Sequence, residues 1–115
     1  MKIRRISSGG VYEQKIGYCR AVVAGGWISI AGTTARPDCV TGNLPDDIQS
    51  QCRSALEIIG AALTEAGAGF SDVVRVTYMV PRAQDFADCF EILEATFGAA
   101  PPAATMIECA LIDPS

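Results

Sequence analysis

Residues 46–67, DDIQSQCRSALEIIGAALTEAG, carry the longest uninterrupted helical period in the chain. Ile48, Cys52, Leu56, Ile59, Leu63 and Ala66 fall three or four residues apart, so they line one face of a helix and leave Gln49, Arg53, Glu57 and Thr64 largely off it. Asp46, after Pro45, supplies a side-chain oxygen for the free amides of the first turn, and Gln49 stands three residues on as in a capping box. Gly67 can take the left-handed conformation that closes a helix. The spacing therefore predicts one amphipathic helix over 46–67, whose apolar face needs a sheet or a second helix to cover it.

Working outward, the N-terminal side offers a short alternation over 2–7 and then a Ser8-Gly9-Gly10 turn. Two apolar runs at 18–24 and 27–31 flank Gly25-Gly26, a pair that permits the positive φ values of a tight hairpin. A turn-rich loop over 32–44 follows, of a kind that often holds function rather than core. On the C-terminal side, 73–80 alternates as a strand, with Val74, Val76, Tyr78 and Val80 on one face and Val73, Arg75, Thr77 and Met79 on the other. Residues 85–97 return to a helical period through Phe86, Phe90, Leu93 and Phe97, with Gly98 as its stop. Pro101-Pro102 breaks the chain before a last strand at 105–110. This order predicts an α+β fold, a mixed β-sheet with two helices packed on one face. Ile28, Ile30, Val74 and Val76 are then expected on an uncovered sheet face, which implies a closed homo-oligomer.

Composition narrows the function. A chain of 115 residues is expected to form a single domain over 1–115. Its net charge of −4 argues against a nucleic-acid partner, because that affinity comes mostly from lysine and arginine on phosphates. With no histidine, the commonest general base and the commonest metal ligand are both missing, and no metal or other cofactor is expected. The five cysteines, Cys19, Cys39, Cys52, Cys89 and Cys109, are odd in number and lack CxxC spacing, so they are expected as reduced thiols in a cytoplasmic protein. No segment has the length of a signal peptide or a membrane span.

Four patterns occur in order: Gly17-Tyr18-Cys19-Arg20-Ala21-Val22, Trp27-Ile28-Ser29-Ile30-Ala31-Gly32-Thr33-Thr34, Asp72-Val73-Val74-Arg75-Val76 and Pro102-Ala103-Ala104-Thr105-Met106. Together the chain resembles the RidA/YjgF/UK114 family, whose members also carry the name endoribonuclease L-PSP. The resemblance implies a chorismate-mutase-like fold, a homotrimer with the sheets packed together inside, and ligand clefts between subunits. It also implies hydrolysis of enamines and imines, such as 2-aminoacrylate, to 2-keto acids and ammonia. Tyr18 and Gly32 match the family's cleft positions, with Thr33 beside them, and all three are expected to bind ligand. At other family positions this sequence is altered. Ala104 stands where active members carry the arginine that pairs with a substrate carboxylate, Ala31 replaces a serine, Phe90 an asparagine and Met106 a cysteine. A further strand bearing a glutamate is implied after 111–114, where this sequence stops at Ser115, so the expectation is that the sequence is incomplete or, second, that the family's C-terminal strand is missing.

Several residues have two readings. Glu108 is the best remaining carboxylate for proton transfer if burial raises its pKa, and otherwise a solvated glutamate on an edge strand. Tyr18 either walls a ligand or packs a strand end, and Gly32 either admits a ligand to the backbone or simply turns the chain. Thr33 and Thr34 are cleft hydroxyls or plain strand formers. Arg20, Arg36 and Arg75 are spare cations, one of which could stand in for the missing arginine. Cys89 and Cys109 read as buried apolar groups rather than nucleophiles. The leading expectation is a protein that binds a small, apolar or carbonyl-bearing metabolite between subunits without the standard imine deaminase machinery. The alternative is an enamine or imine deaminase. A ribonuclease or translation inhibitor comes third, disfavoured by acidity and the lack of histidine.

Overall fold

The computed structural model describes residues 2–113. In chain order these form β1 (Ile3–Ile6), α1 (Val11–Ile16), β2 (Ala21–Ala24), β3 (Trp27–Ile30), α2 (Ile48–Glu65), β4 (Arg75–Val80), α3 (Phe90–Phe97) and β5 (Ala103–Glu108), with 3₁₀ segments at Phe70–Asp72 and Ala83–Cys89. The further strand implied after 111–114 lies outside the described residues, which exclude Pro114 and Ser115.

Helix α2 occupies the predicted stretch, with its start one residue later than expected. Asp47, not Asp46, is the cap: its backbone is extended and its carboxylate accepts from the Ser50 amide at 2.8 Å. Such a cap stabilises by about 1 kcal/mol. Gln49 makes no capping box, because its side-chain amide instead donates to the Asp88 carbonyl at 3.1 Å and ties the helix to the segment before α3. At the other end Gly67 has φ +86°, its amide meets the Thr64 carbonyl at 3.0 Å, and the Ala68 amide meets Leu63 at 2.8 Å. That is a Schellman closure, which only a left-handed residue permits without strain.

β1, β2 and β3 form an antiparallel sheet in which Ile6 faces Ala21 and Ala21 faces Ile30. The β2–β3 turn is Gly25-Gly26, with φ +57° and +81° as a two-residue hairpin requires. β4 and β5 form a separate parallel pair, from Arg75 opposite Ala103 to Val80 opposite Glu108. Hydrogen bonding among the described residues thus gives two sheets in place of one mixed sheet. β5 begins two residues earlier than expected, directly after Pro102, because the Ala103 amide already bonds the Val74 carbonyl.

The core lies where α2 crosses the antiparallel sheet. Ile6, Ala21 and Ala62 are buried together, with Val23, Ile28, Ile30 and Ala66 packed around them. This corrects the expected uncovered face: Ile28 and Ile30 point at the helix, Val76 is half-buried, and of the four only Val74 is exposed. Strand alternation places the opposite set outward. Ile3, Trp27, Met79 and Ile107 are exposed there, with Arg75 donating to the Thr105 hydroxyl on the same face. At the far end of α2, Gly60 leaves room for Phe70, whose ring would lie 3.1 Å from an added Cβ. Phe70 in turn meets Phe97 edge to face at 5.5 Å.

The single helix expected at 85–97 is divided. Residues Ala83–Cys89 wind as 3₁₀ and only Phe90–Phe97 as α. Tertiary bonds overrule the local period here: Glu108 accepts from the Ala83 amide at 2.7 Å, and the Asp88 carbonyl is taken by Gln49. Helix α1 was not expected at all. Val11, Tyr12 and Ile16 are exposed, and the residue it turns inward is Glu13, so it has no apolar stripe to detect.

Candidate functional site

Two regions gather the residues singled out by the sequence. The first is polar and lies where the turn before α1 meets the ends of β2 and β3. Glu13 is buried, and its carboxylate accepts from the Gly10 amide at 2.7 Å, the Ser8 hydroxyl at 2.8 Å and the Ser8 amide at 3.2 Å. Desolvation pushes its pKa up, but these bonds from Ser8 and Gly10 outweigh it and hold the carboxyl at about 2, so Glu13 is ionised at neutral pH.

The Ser8 hydroxyl also accepts from Arg20 Nε at 3.1 Å. Arg20 is buried, with Nη1 donating to the Gly32 carbonyl at 2.7 Å and to Thr33 Oγ1 at 3.0 Å. The Thr33 hydroxyl in turn donates to the Ala31 carbonyl at 2.8 Å. The remaining nitrogen, Nη2, makes one long contact of 3.5 Å to the Tyr18 hydroxyl, and the guanidinium carbon stands 5.5 Å from the Tyr18 ring centre, within cation–π range. The three expected ligand residues, Tyr18, Gly32 and Thr33, are therefore brought together, and Arg20 is what joins them.

The second region is an apolar groove of about 270 Å³ between α3 and the β4–β5 pair. Phe86, Phe90, Leu93 and Phe97 line one side, and Tyr78, Ala104, Met106 and the Pro101-Pro102 pair the other; Glu94 is the one charged residue in the lining. Phe90 stacks edge to face on Phe86 at 5.6 Å, and Phe86 tilts against Tyr78 at 5.3 Å. Three of the four residues that the resemblance marks as altered, Phe90, Ala104 and Met106, meet here. Ala31 does not, and neither do Tyr18, Gly32 and Thr33.

Glu108 is exposed, and its carboxylate is engaged with the Ala83 amide, so the burial on which its acid–base reading depended is not found in the chain. Arg75 lies on the outward sheet face, and Arg36, also exposed, reaches the Ser8 carbonyl at 3.5 Å. All five cysteines are free thiols. Burial raises the pKa of Cys52 and pushes that of Cys89 up to about 12, and the Cys89 thiol donates to the Ile48 carbonyl, which leaves neither nucleophilic at neutral pH. Among the described residues no group of three or more histidine, cysteine or acidic side chains is placed to hold a metal ion, and no helix is long and apolar enough to cross a membrane. Sequence reasoning missed Ser8 and Glu13; the available signal was a carboxylate three residues after Gly10, the spacing of a helix start.

The family model for endoribonuclease L-PSP matches residues 12–115. The chain belongs to this family. A RutC family protein of Pyrococcus abyssi is 37% identical over 92 residues, which span 79% of this chain and 72% of that one. TdcF of Escherichia coli, provisionally named a reactive intermediate deaminase, is 31% identical over 81 residues, spanning 70% of this chain and 61% of TdcF. The crystal structure of a YjgF/YER057c/UK114 family member from Mycobacterium tuberculosis superposes with a TM-score of 0.87 at 37% identity, covering 98% of this chain and 90% of that one. The α+β architecture is thus the chorismate-mutase-like fold of the RidA/YjgF family.

Proposed function

We propose that this chain is a RidA-like protein that binds a small, mainly apolar or carbonyl-bearing metabolite in a cleft between copies of itself, without the standard imine deaminase activity. The observation that carries the reading is the apolar groove lined by Phe90, Ala104 and Met106, residues that stand where the family resemblance implies an asparagine, an arginine and a cysteine. An apolar wall of aromatic side chains with few polar groups suits a small ligand held mainly by desolvation.

A homotrimer accompanies the reading. The outward face of Ile3, Trp27, Met79 and Ile107 gives a second copy something to cover, and in the cleft between copies that the family resemblance implies, the Tyr18, Gly32 and Thr33 region of one copy would meet the groove of the next. Residues 1–115 act in it as one RidA-like domain, and the five free thiols suit a reducing, cytoplasmic setting. The alternative, hydrolysis of enamines or imines, draws its support from the likeness to TdcF. A role on RNA is disfavoured by the net charge of −4 and the lack of histidine.

The test generates 2-aminoacrylate and longer 2-imino acids in situ with an amino-acid dehydratase or oxidase and traps them with semicarbazide. The expected result is trapped product equal to that of a heat-killed control. Clear suppression of the trapped product would establish the deaminase instead.

A further inference from the structure

The groove leaves open what recognises the polar end of the ligand. Position 104 offers a methyl group, Arg75 is on the outward sheet face, and Glu108 is engaged with the Ala83 amide. Arg20 differs from every other cation in the chain. It is 7% exposed, yet no carboxylate lies within ion-pair distance of it among the described residues, where Arg82 with Asp85 is the one ion pair. A buried guanidinium ordinarily has an anion against it. Here the nearest anionic group on its bonding path is Glu13, one hydroxyl removed through Ser8.

The unused capacity is directional. Nε and Nη1 are fixed by Ser8, Gly32 and Thr33 at 2.7–3.1 Å, whereas Nη2 has only the 3.5 Å contact with the Tyr18 hydroxyl. In that contact the tyrosine accepts, and no acceptor among the described residues takes its own O–H. Two donors, Nη2–H and Tyr18 O–H, are therefore left beside the exposed Gly32 and the half-buried Tyr18 and Thr33. Two adjacent donors, one of them on a cation without a counter-ion, match the two oxygens of a carboxylate.

We propose that Arg20, with Tyr18, anchors the carboxylate of the ligand in place of the arginine absent at 104, and that Ser8 and Glu13 are its positioning residues. This rests on the metabolite-binding reading above and adds the residues that hold the carboxylate end of the ligand. Ser8 orients the guanidinium by accepting from Nε, and Glu13 fixes Ser8 by accepting both its hydroxyl and its amide protons. No covalent step is involved.

The probes are 2-oxobutanoate and its methyl ester, titrated calorimetrically into the full chain in its native oligomeric state. Wild type is expected to bind the acid at least about 10-fold more tightly than the ester, the scale of one charge-assisted contact. Arg20→Gln should bring that ratio close to one while leaving ester affinity within about twofold, and Arg20→Lys should keep part of the preference. Where Arg20→Gln fails to fold, Ser8→Ala serves, with a several-fold loss of acid preference and an unchanged ester affinity. A folded Arg20→Gln variant that kept the full preference would overturn the anchor, since a merely structural arginine would change stability and not the ratio. Equal binding of acid and ester by wild type would overturn the anchor alone; binding of neither would remove the metabolite-binding reading and the anchor with it.

Discussion

Around Glu13 and Arg20 the chain buries charge and matches it with donors and acceptors at 2.7–3.2 Å, whereas around Phe90 and Met106 it leaves apolar side chains 58% and 55% exposed with nothing of its own to cover them. The first arrangement fixes side chains in one geometry, because each displaced group would strand a polar partner in a poorly solvated place. The second fixes little: edge-to-face rings slide at small cost, and the methyl of Ala104 limits neither the shape nor the charge of what enters. The contrast suggests a division of labour, with precise polar recognition supplied by one wall of the proposed cleft and adaptable apolar volume by the other.

The contrast breaks most visibly at Glu13. Glu13→Ala strands the Ser8 hydroxyl and the Ser8 and Gly10 amides and removes the anion nearest Arg20 on its bonding path, so a loss of about 3 kcal/mol is expected in chemical denaturation. A loss below about 1 kcal/mol would mean that water replaces the carboxylate and the network is not a fixed element.

Acid titration sharpens the same point with the natural residue in place. The Glu13 pKa falls from 4.5 to about 2 on folding, so its contribution is fully present above 4.5 and is lost as pH falls from there toward 2. The stability difference between wild type and Glu13→Gln, followed by urea unfolding at successive pH values, should be constant above pH 5 and shrink below 4.5. A difference that changed between pH 6 and 8 would contradict the assignment.

In the groove the expected cost to folding is smaller. Phe90→Ala removes a half-exposed ring and its stacking on Phe86, a loss of about 1 kcal/mol by thermal or chemical unfolding, while weakening 2-oxobutanoate methyl ester binding several-fold in the same calorimetric assay. The smallest effect is expected at Glu108. Its carboxylate accepts a backbone amide at an exposed position, which a glutamine oxygen can do as well, so Glu108→Gln should change stability by no more than about 0.5 kcal/mol and leave ligand binding unaltered. A marked loss of binding would return Glu108 to the site.

What the sequence disclosed follows from which forces are local. Helix α2, the Gly25-Gly26 hairpin and β4 were legible because apolar period and glycine punctuation declare themselves within a few residues. The start of α2 was off by one because Asp46 and Asp47 are equivalent in sequence, and only the Ser50 amide chooses between them. α1 was hidden because its inward residue is a carboxylate, and the 3₁₀ segment Ala83–Cys89 because partners more than twenty residues away set its winding. The misassigned sheet face had a related cause: Ile28 and Ile30 are apolar in either orientation, and which side the helix covers is a tertiary fact. For the site, the resemblance marked Tyr18, Gly32, Thr33, Phe90, Ala104 and Met106 alike as cleft positions and did not divide them between the polar region and the groove in which the chain holds them. Nor did it disclose that Arg20, a member of the first motif, is buried among Tyr18, Gly32 and Thr33.

The central claim is that the two regions are opposite walls of one cleft contributed by different copies of the chain, and subunit mixing tests it most directly. Arg20→Gln and Phe90→Asp variants, each impaired in 2-oxobutanoate binding, would be mixed, dissociated and reassembled, and titrated again. Recovery of a fraction of sites with wild-type affinity, those built from the intact Phe90 of one copy and the intact Arg20 of another, is the result the account predicts. Mixtures that bind no better than either parent, although assembled into mixed oligomers, would contradict it.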